Sequence, residues 1–453
     1  MNEKKILISF NLAILASIIL SILTRQNIII LFFCIILMLI ISILLILKPK
    51  VLMLLTILIS LFSNKLSDFA GFMQILPVYL YCLMIIYLIL KKDKLKINKI
   101  LFIYTIVSSI FSILPYIYTE FKLLAFVIGM IKRFSFVIIT TFVMNLDMNM
   151  ENLKNFIFKL IIYVMISNTI VAGIQFLLGS RSDDVVGFLG KNMTGTIGYL
   201  LMYFLILTIS YDYRMKNKGI YLILSIGIVF IYAAIAEVKI LFVVATLLVC
   251  LYILIRKNKI KSIFMAIVIC IGVISSYSYF INIYPHHNFL QKGFLNEYLH
   301  EQSYGDGTVN RFSFISDLNN SVLTTEYDRL LGKGIGSGNP SRIKLLQGKI
   351  NENYGYLKYY WFTTSYVYIE TGFIGIVGLI LVQVYLFIKL SRLFYIKRSE
   401  DELFLLFATV LNTIFIIYSS AFMDYCISTI YWTLIGIYIC QNYKYINSEE
   451  VAR

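Results

Sequence analysis

Fourteen apolar runs, most of them near the length that crosses a bilayer as an α-helix, leave this chain few ways to fold. They fall near 6–23, 28–47, 51–63, 72–90, 99–118, 123–145, 156–178, 187–210, 219–236, 238–255, 262–284, 364–388, 403–422 and 425–441. With 60% hydrophobic and only 14% charged residues, the chain lies far outside the range of soluble domains. The expected fold class is an all-α polytopic membrane protein with about 14 transmembrane helices (range 12–14). Eleven would occupy residues 1–284, three would occupy 361–441, and 442–453 would form a tail. The first run has no small-residue cleavage site and reads as a retained span. All six cysteines fall inside apolar runs, so no disulfide framework is expected.

The net charge of +16 is distributed as a topology signal, which sets nucleic acid aside as a partner. With the amino terminus placed in the cytoplasm, 24 Lys/Arg fall on the inner side, in segments such as 91–99, 214–218, 256–261 and 389–398. The short outer loops hold about five: Arg25, Lys65, Lys122, Arg181 and Lys239. Both termini are then expected in the cytoplasm, and the one long polar segment, 285–360, faces outward.

That segment holds all three histidines, His286, His287 and His300, with eight Lys/Arg and seven Asp/Glu. Arg311 opens an amphipathic run, RFSFISDLNNSVL, and Arg329 follows it. Then LLGKGIGSGNP places Gly332, Gly334, Gly336 and Gly338 at every second position, a spacing that breaks helices and lets backbone N–H groups approach a ligand, commonly an anion. The aromatic stretch from Tyr354 to Phe362 suits either sugar stacking or an interfacial belt.

Ionisable groups inside apolar runs are functional candidates because hydrocarbon penalises them. Lys132 and Arg133 interrupt the sixth run and read either as snorkelling cations or as a lipid-phosphate pocket. Glu237 and Lys239 occupy a short outer turn, as a plain hairpin or as an anion-binding pair. Arg181 precedes GFLGKNMTG, where Asn192 is polar at a depth that asks for a partner. Glu370 lies early in the twelfth run, where the helix dipole alone would favour it. No nucleotide loop, redox Cys pair, haem signature or metal-ligand spacing is present, so no cofactor is expected.

In their order, Arg181 with GFLGKNMTG, the turn with Glu237 and Lys239, the outer loop with Arg311 and LLGKGIGSG, and the helix bearing ETGFIG resemble the O-antigen polymerase and ligase family. The resemblance covers residues 181 to about 380. It implies a GT-C-like membrane glycosyltransferase in a bacterial plasma (inner) membrane, acting on an undecaprenyl-pyrophosphate-linked oligosaccharide without metal, alongside other polysaccharide-assembly proteins. It also implies that Arg181, Lys239 and Arg311 surround the pyrophosphate. Two departures accompany it: Glu237-Val238-Lys239 stands where a Ser-Arg pair is usual, and YYWFTTSYVYIE lacks the ligases' histidine.

Glycosyl transfer from pyrophosphate needs fixed cations for the leaving group and a base for the attacking hydroxyl. Glu370, Glu237 and the loop histidines, His300 among them, are the base candidates, with Glu370 preferred. The expected function is a polysaccharide polymerase that moves the growing chain onto the next lipid-linked repeat unit. A ligase with a surface acceptor and a lipid-linked oligosaccharide flippase are the alternatives.

Overall fold

The computed structural model describes residues 40–69, 71–91, 95–190, 193–215, 219–256, 259–285, 308–341, 343–420 and 423–442. The expected spans at 6–23 and most of 28–47 lie outside these residues, as do His286, His287, His300 and Asn192. Each of the other twelve apolar runs contains helix, although the run expected from 187 is turn and coil over 187–190 and becomes helix only at Thr194. Among the described residues the helices are α1 (Pro49–Phe69), α2 (Leu76–Leu90), α3 (Lys99–Ile113), α4 (Leu123–Arg133), α5 (Ser135–Met144), α6 (Met150–Leu177), α7 (Thr194–Arg214), α8 (Ile220–Ile235), α9 (Lys239–Ile255) and α10 (Lys259–Ile283). In the polar segment come the short α11 (Phe314–Ser321), α12 (Glu326–Leu331) and α13 (Lys349–Tyr354), followed by α14 (Thr363–Lys397), α15 (Glu400–Tyr418) and α16 (Tyr425–Gln441). No strand occurs among the described residues.

Among the described residues, seven helices are long and apolar enough to cross a membrane, and α4 with α5 makes an eighth if that bent pair is one span. Among the described residues, the apolar helices α8, α9 and α16 are shorter, at 16, 17 and 17 residues.

Burial separates the helices by role. α16 is buried without interruption from Cys426 to Ile439, and most of α7 is enclosed as well, so these two form the centre of the bundle. Gly436 lets α16 press against α5, where an added Cβ would meet Val143 Cβ at 2.9 Å. Small residues at such crossings let backbones approach where lipid supplies no hydrophobic drive between helices. Hydroxyls join the same helices: Tyr81 of α2 and Thr429 of α16 lie 2.7 Å apart, and Thr429 donates to Ser60 of α1 at 3.0 Å. α3 lies at the periphery, with Ile103 and Ile110 more than half exposed.

Caps fix several helix starts, as Asn98 does for α3, Asn149 for α6 and Asp424 for α16. At one end, Lys154 pairs with Asp401 (2.6 Å) and Arg214 with Glu400 (2.8 Å). At the other end, the polar segment forms its own small core from Val309, Phe314, Leu318, Leu323, Leu357 and Tyr359 against Tyr366, Tyr368 and Ile369 of α14. Two ion pairs, Lys122–Glu352 (2.5 Å) and Lys349–Glu120 (2.9 Å), tie it to the link before α4.

Candidate functional site

Two helices break inside the bundle, and the breaks face one another. α4 and α5 meet at Phe134 with a bend of 51°. Lys132 and Arg133 form the last turn of α4, where the carbonyl end of a helix favours cations. α14 breaks at Gly372, whose φ of 59° and ψ of −157° lie outside helical space. An added Cβ there would meet the Leu330 carbonyl oxygen at 2.3 Å, so the closeness of α12 demands glycine.

The break turns the carbonyls of Ile369 and Glu370 toward the glycine run, where they accept the N–H groups of Lys333 (2.8 Å) and Gly334 (3.0 Å). The Gly336 N–H donates to Glu370 Oε1 at 2.8 Å. Gly336, at φ 85°, is pressed against the Ala125 backbone of α4, and Tyr116 donates its hydroxyl to the Ile335 carbonyl. The glycine run is thus wedged between α4 and α14, and the anion its Gly336 N–H meets is the chain's own Glu370. That carboxylate is 1% exposed, within electrostatic reach of Arg133 and Lys132. Arg133 is also buried and donates to Thr371 Oγ1 at 3.3 Å.

Lys132 points the other way, into a cavity of about 210 Å³ at the loop end of the bundle. Its ammonium lies 5.5 Å from the Tyr366 ring centroid and 5.6 Å from that of Tyr425, a cation–π pairing. Across the cavity stands Asp424, with Asn64, Pro340 and Tyr360 completing much of the wall. Asp424 Oδ1 accepts the Cys426 N–H at 2.9 Å, and Oδ2 accepts from Asn64 (3.1 Å) and Thr196 (3.2 Å). Asp424 lies in the short link between α15 and α16. Burial pushes its carboxyl above the ordinary range, against those hydrogen bonds and the Lys132 charge, which pull it down.

The other sequence candidates fall around this cavity or apart from it. Arg311, nearly buried, donates to the Tyr418 carbonyl at 3.2 Å and stacks over Tyr418 and Phe362. It thereby clamps the loop onto the end of α15, two residues before Ser420 of the cavity wall. Arg329 donates to the Leu323 carbonyl at 3.2 Å and supports α12. Arg181, Glu237 and Lys239 share a separate cluster. Glu237 pairs with Lys239 (3.3 Å) and accepts from Ser182 Oγ (2.5 Å). Exposed Arg181 folds back onto the carbonyls of Phe176 and Ser180, both at 2.8 Å.

Sequence reading passed over Asp424, Asn64 and the tyrosines Tyr366 and Tyr425. A signal for Asp424 was present: it is the only carboxylate between Glu402 and Glu449, in a link between two apolar runs. Asn64 carried none, because a polar residue near a helix end is ordinary. No family model, curated protein or solved structure matches the chain.

Proposed function

We propose that the protein is a membrane glycosyltransferase of the polysaccharide-polymerase kind, moving a glycan from polyprenyl pyrophosphate to the next lipid-linked repeat unit. The observation that carries the reading is the pairing of Lys132 and Asp424 across one tyrosine-lined cavity at the loop end of the bundle. A cation and a carboxylate in a shielded cavity are the two groups that such a transfer needs. The sugar hydroxyl of the acceptor attacks the anomeric carbon, the bond from that carbon to the pyrophosphate oxygen breaks, and the oxygen leaves with the electron pair. Lys132 offsets the charge on the leaving group, and Asp424 takes the hydroxyl proton. Tyr360, only partly buried, offers a ring face for the sugars. Glu370, with one oxygen held by Gly336, is a positioning residue in this reading, since it fixes the loop that forms the cavity wall.

The Lys132–Asp424 cavity at the loop end, with the other ion pairs at helix ends, supports a transferase over a flippase, whose charges would lie along a central path. The experiment is deletion of the gene, with complementation by wild type, Lys132→Ala and Asp424→Asn, and separation of the surface glycan on a gel. The reading requires that deletion collapse a ladder to single lipid-linked repeats and that Asp424→Asn do the same at normal protein level. Full-length polymer retained on its carrier would assign a ligase instead. Repeat units trapped on the cytoplasmic side would make it a flippase.

A further inference from the structure

A larger cavity, about 1110 Å³, opens at the opposite end of the bundle, where α7, α9 and α14 finish and α15 begins. Three arginines line it: Arg214 is the last residue of α7, Arg256 caps α9, and Arg398 caps α14. A cation at a helix carboxyl end is favoured by the dipole, which accounts for each arginine singly. Their convergence on one cavity is not explained that way.

The local charges do not cancel. Arg256 is held by Asp212 at 3.3 Å, and Asp212 is itself fixed by the Tyr252 hydroxyl at 2.6 Å. Arg214 pairs with Glu400 at 2.8 Å. Arg398 makes no ion pair among the described residues, so these two pairs leave one guanidinium over. Beside the arginines the wall is apolar, formed by Ile255, Phe394 and Leu406 with Tyr395. Tyr395, Ile396 and Leu254, next to the opening, are each more than two thirds exposed, as helix surface against lipid is.

We propose that this cavity binds the phosphate headgroup of an anionic glycerophospholipid, drawn from the leaflet on that side. Helices end where the hydrocarbon gives way to headgroups, so the cavity lies at the depth of lipid phosphates. A guanidinium offers phosphate oxygens a forked set of donors, and the aromatic and aliphatic lip lies along the first segments of the acyl chains. A soluble phosphate would meet the same fork but gain nothing from the lip. The site lies at the other end of the helices from the Lys132 cavity and is independent of the proposed transfer.

The test uses the full chain in detergent, with native mass spectrometry to measure retention of phosphatidylglycerol and phosphatidylcholine. Wild type should retain phosphatidylglycerol preferentially, and Arg398→Gln should weaken that retention about tenfold, on the order of one charge-assisted contact. Lys344→Gln, at the loop end, should leave it unchanged. Equal retention of the two lipids, or an equal loss in both variants, would overturn the proposal. So would displacement of phosphatidylglycerol by glycerol 1-phosphate at comparable concentration, which would make the ligand a soluble phosphate. Arg398 is exposed, and a monodisperse elution profile for its variant separates lost binding from lost fold.

Discussion

Asp424 and Lys132 divide the work that the proposed transfer asks of side chains, and each predicts its own kind of loss. Asp424→Asn is isosteric and keeps one oxygen to cap α16, while its NH2 replaces the acceptor of Asn64 and Thr196, so Asn64 must turn its amide to present oxygen; with the base removed, transfer should fall about 10²- to 10⁴-fold with the protein still folded. Because burial raises the Asp424 carboxyl, the base is protonated at pH values where an ordinary aspartate is already charged. The rate should therefore climb with pH through an acid limb placed above the usual carboxylate value of about 4, and Asp424→Asn should remove the limb. A pH profile of glycan transfer in vesicles reads this directly, and a limb at the ordinary value would count against Asp424. Lys132 was legible in the sequence as a charge inside an apolar run, and Glu370 as a carboxylate at a helix start. The sequence could not show that their neighbours point them apart, Glu370 into the wedge and Lys132 into the cavity. Lys132 is turned by Tyr366, more than 200 positions along the chain, and Glu370 is held by Gly336, a backbone group whose approach no side-chain pattern marks.

At the scale of the element, the glycine run and the two broken helices form one device. Gly336→Ala adds a Cβ 2.3 Å from the Ala125 carbonyl at a left-handed φ of 85°. The expected cost is roughly 1–3 kcal/mol from the strained backbone alone, read as a lower melting temperature in detergent. Glu370→Gln preserves an acceptor for the Gly336 N–H and should keep the fold, whereas Glu370→Ala leaves that buried donor unmatched, at about 1–3 kcal/mol. If Glu370→Gln abolished transfer as fully as Asp424→Asn, Glu370 would be the base and the positioning role would fall. The every-second-residue glycines announced a backbone without side-chain bulk. They read equally as a cradle for a foreign anion, and only the fold reveals that a carboxylate of the same chain occupies one of the N–H groups. The breaks were less legible, since neither Phe134 nor the ETG sequence at Gly372 differs from what an unbroken apolar helix tolerates.

Over the described residues, the apolar runs are helical for most of their length, because hydropathy and the need to close backbone hydrogen bonds inside lipid leave little else. Lateral order was not legible: nothing in composition marks α7 and α16 as central and α3 as peripheral. Sidedness follows from cation counting and is testable in intact cells. In a background with the native cysteines replaced, Leu345→Cys, exposed in the loop, should react with an impermeant maleimide from outside. Asn152→Cys, exposed in the first turn of α6 at the other end, should react only after the membrane is opened. The reverse pattern would invert the topology and move the proposed transfer to the cytoplasm.

The break at Gly372 also bears on how the protein is made. The half-helix Thr363–Thr371 carries a carboxylate and turned-out carbonyls whose partners lie in the glycine run, already synthesised, and whose neighbour α4 left the ribosome far earlier. Released into lipid alone, this segment would hold unmatched polar groups. Its stable insertion therefore requires the glycine run to fold back onto it, so the cavity is completed only near the end of biogenesis, when α14, α15 and α16 join the helices made before them.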